Sequence, residues 1–278
     1  MRIVLPVFVI FLTFLLTSCK KYEAADAAFY IKPGLVSVST TSAQGSSSHK
    51  ITDLWVYVNG QFKGVYPTDH TIPVVSNNSK VSLDIYAGIK NNGITDTRIF
   101  WPFYQRIHFD TTVNAGLTIN RPFTFTYNSI TTFTWNENFD GLGTTIESTP
   151  KYSTVKGDGA FEGKSLLVSL RGDSSAAMVK STSSFKLPTG TSNVYLELNY
   201  KCNETIEIGL IGDSNDEKTA FYLNPTDKWN KIYINLAPTV NQEVVSSKYK
   251  VYFRMLKLLS EESELYLDNI KLVYLPPQ

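Results

Sequence analysis

Cysteine is nearly missing from this 278-residue chain: Cys19 and Cys202 are the only two. A disulfide framework is therefore excluded, and hydrophobic cores must hold whatever folds here. Histidine is as scarce, and His49, His70 and His108 lie in separate segments without metal-ligand spacing. Charge of either sign is not in excess, with 26 Lys and Arg against 25 Asp and Glu. That balance gives no reason to expect nucleic acid or an anionic surface as partner. No Gly-x-Ser-x-Gly elbow, His-Glu-x-x-His helix or Gly-rich phosphate loop occurs. After residue 20 no helical stripe runs beyond a few turns. The long apolar run is confined to residues 3–16, which is too short to span a bilayer comfortably.

That run is informative through its flanks. Arg2 precedes it, and Leu16-Thr17-Ser18-Cys19 follows it. The tetrapeptide resembles the bacterial lipobox, an aliphatic residue and two small ones before Cys. The resemblance implies a signal peptide over 1–18, a lipid on Cys19 and a membrane anchor. Residues 19–28 are then expected to form a tether. Lys20 and Lys21 lack the Asp associated with inner-membrane retention, so the outer membrane of a cell envelope is the preferred location. Cys202 closes the apolar row of an expected strand and reads as a buried, inert thiol.

Tyr and Phe, at 16 each, with abundant Thr, Ser and Val, favour strands. Over 29–128 the clearest unit is a hairpin. Residues 54–58 and 61–66 alternate around Asn59-Gly60, which favours a type I′ turn because both central residues need positive φ. Strands at 28–31 and 35–38 are expected on either side of Pro33-Gly34. Pro73 marks residues 71–75 as an edge strand or a strand start. Seven or eight strands in about 100 residues suit a small sandwich. The run Val56-Tyr57-Val58-Asn59-Gly60-Gln61-Phe62-Lys63-Gly64-Val65-Tyr66-Pro67 resembles PEGA-like or prealbumin-like surface sandwiches. Residues 51–104 also resemble lipoproteins of Bacteroidota. Neither resemblance brings catalytic residues.

The landmarks change over 129–278. Asn138-Phe139-Asp140-Gly141 comes first, then Gly163-Lys164-Ser165-Leu166-Leu167, then Trp229 before an alternating strand, then Leu267-Asp268-Asn269-Ile270 near the end. This ordered set resembles the jelly roll of galactose-binding-like domains, which include many carbohydrate-binding modules. The expected fold class is thus all-β, two consecutive sandwiches: immunoglobulin- or prealbumin-like, then jelly roll. The resemblance implies a structural calcium held by Asp140 and Asp268, with a backbone oxygen from the Gly163–Lys164 turn.

Strand alternation nominates a ligand face. Tyr195, Glu197 and Asn199 point away from the apolar row of 194–200. Glu207 does so in 205–210, and Tyr252 and Arg254 do so in 249–255. If these strands are neighbours in one sheet, the six residues form one polar-aromatic face suited to sugar. The competing reading is a solvated face with cross-strand ion pairs. Trp229 is expected to pack at the core or rim. Trp101-Pro102-Phe103-Tyr104 is expected to plug one end of the first sandwich, with an exposed patch as the alternative. Arg171-Gly172-Asp173 reads as a tight turn.

The expected protein is a lipid-anchored, non-catalytic glycan binder of the cell envelope. The alternatives are an assembly lipoprotein that binds another envelope protein, and a glycan-cleaving jelly-roll enzyme, which would need two carboxyls facing across a groove.

Overall fold

The computed structural model describes residues 28–76, 79–191, 193–242, 246–257 and 261–277. Cys19, the signal segment and all but the last residue of the tether lie outside the described residues. The fold is all-β in two sandwiches.

The first sandwich uses eight strands in chain order: β1 (Ala28–Ser39), β2 (Asp53–Val58), β3 (Gln61–Pro67), β4 (Ile72–Val75), β5 (Lys80–Lys90), β6 (Arg98–Phe100), β7 (Ile107–Thr112) and β8 (Thr118–Thr126). One sheet has the order β4-β1-β8, with β1 and β8 parallel. The other has the order β3-β2-β5-β6, and β7 pairs with the first half of β5. Phe29, Ile31, Phe123 and Phe125 of one sheet meet Leu54, Val56, Leu83 and Ile85 of the other in an apolar core. Asn59 and Gly60 both have positive φ, 50° and 76°, as the hairpin requires. The two strands expected around Pro33-Gly34 are one strand with a register shift between Pro33 and Val36. A bulge lets the chain pass a proline without ending the ladder.

The second sandwich uses β9 (Thr132–Glu137), β10 (Ile146–Thr149), β11 (Ser153–Lys156), β12 (Lys164–Leu170), β13 (Ala176–Ser181), β14 (Val194–Cys202), β15 (Ile206–Ile211), β16 (Glu217–Leu223), β17 (Thr226–Asn235), β18 (Lys250–Leu256) and β19 (Ser263–Tyr274). A single helical turn, α1 (Ala237–Val240), follows β17. One sheet runs β11-β12-β19-β14-β17, with β9 also on β19. The other runs β10-β13-β18-β15-β16. Leu196, Leu198, Ile234 and Leu272 face Ile206, Ile208, Val251 and Phe253 across the core.

The two sandwiches share a seam. The first lies on the outer face of the β14–β17–β19 sheet, and burial marks the edge of the cover. Along β19, residues alternate from Ser263 to Leu267, then every residue from Leu267 to Val273 is buried. Trp101, Phe103 and Tyr104 are buried here. The Trp101 ring lies 4.8 Å from Tyr195 and 4.7 Å from Tyr233. This cluster is neither an end plug of one sandwich nor an exposed patch. Its rings need apolar cover, and the second sandwich supplies it.

Candidate functional site

The six residues nominated as one ligand face are split. Tyr195, Glu197 and Asn199 sit on β14, while Glu207, Tyr252 and Arg254 sit on β15 and β18 of the opposite sheet. Alternation shows which side of its own strand a residue takes, but not which strands become neighbours.

The first trio is buried at the seam. Glu197 has no exposed side-chain surface, and Tyr127 from the first sandwich donates to both its oxygens at 2.9 and 3.0 Å. Lys231 Nζ stands 3.4 Å from Glu197. Lys271, equally buried, donates to the Ser46 carbonyl at 2.6 Å. Its pKa is pushed down to about 8 because burial disfavours its charge, while the Glu197 carboxylate works against that push. Burial also lowers the pKa of Lys231, again opposed by Glu197. The seam closes with Ser48 Oγ donating to Asn199 at 3.0 Å and the Lys50 N–H donating to the Tyr233 hydroxyl at 2.9 Å. These residues bind the two halves of the molecule to each other.

The second trio is brought together on the open sheet, where the competing reading of the alternation describes it. Tyr252 donates to Glu207 at 2.6 Å, Arg254 donates to the same carboxylate at 3.1 Å, and Arg254 also pairs with Glu217. The Tyr252 ring is itself buried, lying over Gly209, where a Cβ would come within 2.5 Å of it. It offers no free face for stacking. Tyr222, opposite Glu207 on β16, is the exposed ring of this row, at 57%.

Asp140 and Asp268 hold the same turn through hydrogen bonds. Asp140 Oδ1 accepts from the Lys164 N–H at 2.9 Å. Asp268 Oδ2 accepts from Ser165 Oγ at 2.7 Å and from the Glu162 N–H at 3.1 Å, and its Oδ1 accepts from the Asn269 N–H. Burial raises the Asp268 pKa to about 6, with those donors pulling the other way. Among the described residues, no group of three or more His, Cys, Asp or Glu is placed to share a metal ion.

Two features escaped the sequence. The first is an aromatic face on the outer side of β2, β3, β5 and β6. Trp55, Phe62, Tyr57, Tyr86 and Phe100 form a chain of rings at 5.2 to 5.8 Å, with Phe62 and Phe100 exposed. Its signal was present in the alternation that put Leu54 and Val56 inward.

The second is a cleft of about 400 Å³ at the seam. The turn after β5 forms one wall. Asn92, at φ 54°, accepts from the Asn235 N–H at 2.8 Å, and Gly93 sits so close to β17 that a Cβ would lie 3.1 Å from Ile232. The β16–β17 hairpin forms the other wall, bringing Phe221, Tyr222 and Asn224. Tyr200 and Asn230 line the floor, with Asn230 donating to the Tyr200 hydroxyl at 3.1 Å. Residues from about 50 to 230 converge here, so no local pattern announces the site.

Trp229 is half-buried at the rim of the same sheet, edge-on to Phe161 at 5.7 Å and Tyr266 at 6.1 Å. Cys202 is buried, and burial raises its thiol to about 11, as expected of an inert thiol. Arg171 and Ser174 close the expected turn at 3.2 Å.

No family model matches the chain, and no curated protein matches it. Solved carbohydrate-binding modules do resemble it. A family 29 module mutant complexed with cellulohexaose is 14% identical, covering 52% of this chain and 93% of that one at a TM-score of 0.35. Another, complexed with mannohexaose, is 12% identical over 51% and 92%, also at 0.35. The xylan-binding CBM22-1 domain from Paenibacillus barcinonensis Xyn10C is 13% identical over 53% and 97%, at 0.39. Identities and scores this low do not bear on what this chain binds.

Proposed function

We propose that this protein is a lipid-anchored, non-catalytic glycan binder of a cell envelope, with the seam cleft as its binding site. The observation that carries the reading is the convergence of rings and amides in one concavity. Tyr222 and the partly buried Phe221 offer aromatic surface to the C–H faces of a sugar, while the buried Tyr200 lines the floor. Asn92, Asn224 and Asn230 offer amides, which can both donate to and accept from hydroxyls. Mostly apolar concavities with a few convergent polar groups are the usual form of small-ligand sites.

A glycan array probed with the purified protein tests the reading. An oligosaccharide should bind, Tyr222→Ala should weaken it about tenfold, and the bound sugar should be recovered at unchanged length. Silence on the array, or an unchanged affinity in both Tyr222→Ala and Asn230→Ala, would overturn it. The anchor is tested separately: Cys19→Ser should abolish acyl labelling and release the protein from membranes.

One observation favours the second reading, a lipoprotein that docks another envelope protein. The five-ring face of the first sandwich keeps Phe62 and Phe100 in solvent at 51% and 43% exposure. A pull-down that finds one partner, lost in a Phe62→Ser, Phe100→Ser double variant, would support it over glycan binding.

A further inference from the structure

The seam cleft carries charge of one sign. Lys50, Lys90 and Lys231 line it, and among the described residues its lining contains no Asp or Glu. Glu197 lies behind Lys231 at 3.4 Å and also serves the seam, where Lys271 is the second buried ammonium. Glu162 acts on both lysines, and Asp268 on Lys231, only as weaker, secondary influences. Glu197 is thus the near carboxylate of Lys231 and Lys271, and it does not count among the influences on Lys50. Lys231 Nζ is buried and has no hydrogen-bond partner among the described residues. Lys50 Nζ donates to Asn230, which leaves it further protons, and Lys90 makes no ion pair among the described residues. Lys90 is near enough to Lys50 to lower its pKa, second to the effect of burial. Holding cations together without a counter-charge is costly, and a bound anion relieves that cost.

We propose that the cleft takes an acidic saccharide, with its anionic group, a uronate carboxylate or a sulfate, held by Lys50 and Lys90. This rests on the cleft being the glycan site, and it adds a division of labour. Lys50 and Lys90 come from the first sandwich, and the rings Tyr200, Phe221 and Tyr222 come from the second. The second sandwich would grip the sugar ring while the first reads its charge. The first sandwich would then be part of the site, and the seam would be needed for binding as well as for stability.

The test prints acidic and neutral oligosaccharides on one array, with uronate and sulfated members kept apart. The best acidic binder is then titrated against a neutral counterpart, its methyl ester or desulfated form. The acidic form should bind about tenfold tighter at low salt, and the preference should shrink as sodium chloride rises. Lys90→Gln, at a half-buried position, should remove most of the preference while leaving affinity for the neutral form and the far-ultraviolet circular dichroism unchanged. Equal binding of acidic and neutral forms would overturn this inference and leave the glycan reading standing. Inorganic sulfate binding as tightly as the acidic sugar would overturn both, as would silence from every saccharide.

Discussion

On one outer face of the second sandwich, Tyr195, Glu197 and Asn199 lie buried under the first sandwich. On the other, Glu207 and Arg254 stay partly in solvent. Both faces follow the same grammar, apolar residues inward and polar or aromatic residues outward. Their electrostatics differ because their cover differs. The open face pairs Arg254 with Glu207 and Glu217 in water, where such pairs contribute little. The covered face holds Glu197, Lys231 and Lys271 out of water, where loss of one partner is expensive. Outward on a strand is thus a statement about one sandwich's core, and a second layer can turn the same face into an interior.

The contrast can be broken at its apolar anchor first. Trp101→Ala should cost about 4 kcal/mol and loosen the coupling between halves. Calorimetry should then show two transitions in place of one, and a single unshifted transition would contradict the seam. Glu197→Gln comes next. It leaves Lys231 and Lys271 without their near counter-charge and should cost about 3 kcal/mol in urea unfolding.

The third test uses pH. Folding lowers the Lys271 pKa to about 8 from an ordinary 10.5. Between those values the unfolded chain holds more protons than the folded one, so this group makes stability rise with pH. Its unfavourable contribution is fully present below about 8 and fades toward 10.5. The gain should be on the order of 2 kcal/mol by pH 10, and Lys271→Met should flatten that slope. Smallest is Arg254→Ala on the open face, which should change stability by less than about 1 kcal/mol. A loss as large as that of Glu197→Gln would erase the distinction between the faces.

Much of the fold was legible where interactions are local. The Asn59-Gly60 hairpin is readable because a two-residue turn with positive φ admits few residues. Pro73 marks an edge or a strand start because it cannot donate to a ladder, and β4 is an edge. Inward rows such as Ile206, Ile208 and Leu210 follow from period-two alternation. The site was not legible, since the cleft joins Lys50 and Lys90 to Tyr222 and Asn230 from the other sandwich. Lys231 and Lys271 show the same limit: a lone lysine in an alternating strand looks solvated until its neighbour in space is known.

By itself, then, the sequence determined the all-β class, the lack of a disulfide framework and the inward face of its clearly alternating strands, because steric preference and hydrophobic period act over a few residues. Its lipobox-like segment points to an anchor in the same local way. Only the tertiary structure decided which strands share a sheet, which outer face is covered, and that basic and aromatic residues meet in one cleft. Those outcomes depend on long-range packing, where burial of Trp101, Tyr195 and Tyr233 outweighs the cost of enclosing Glu197 and two lysines.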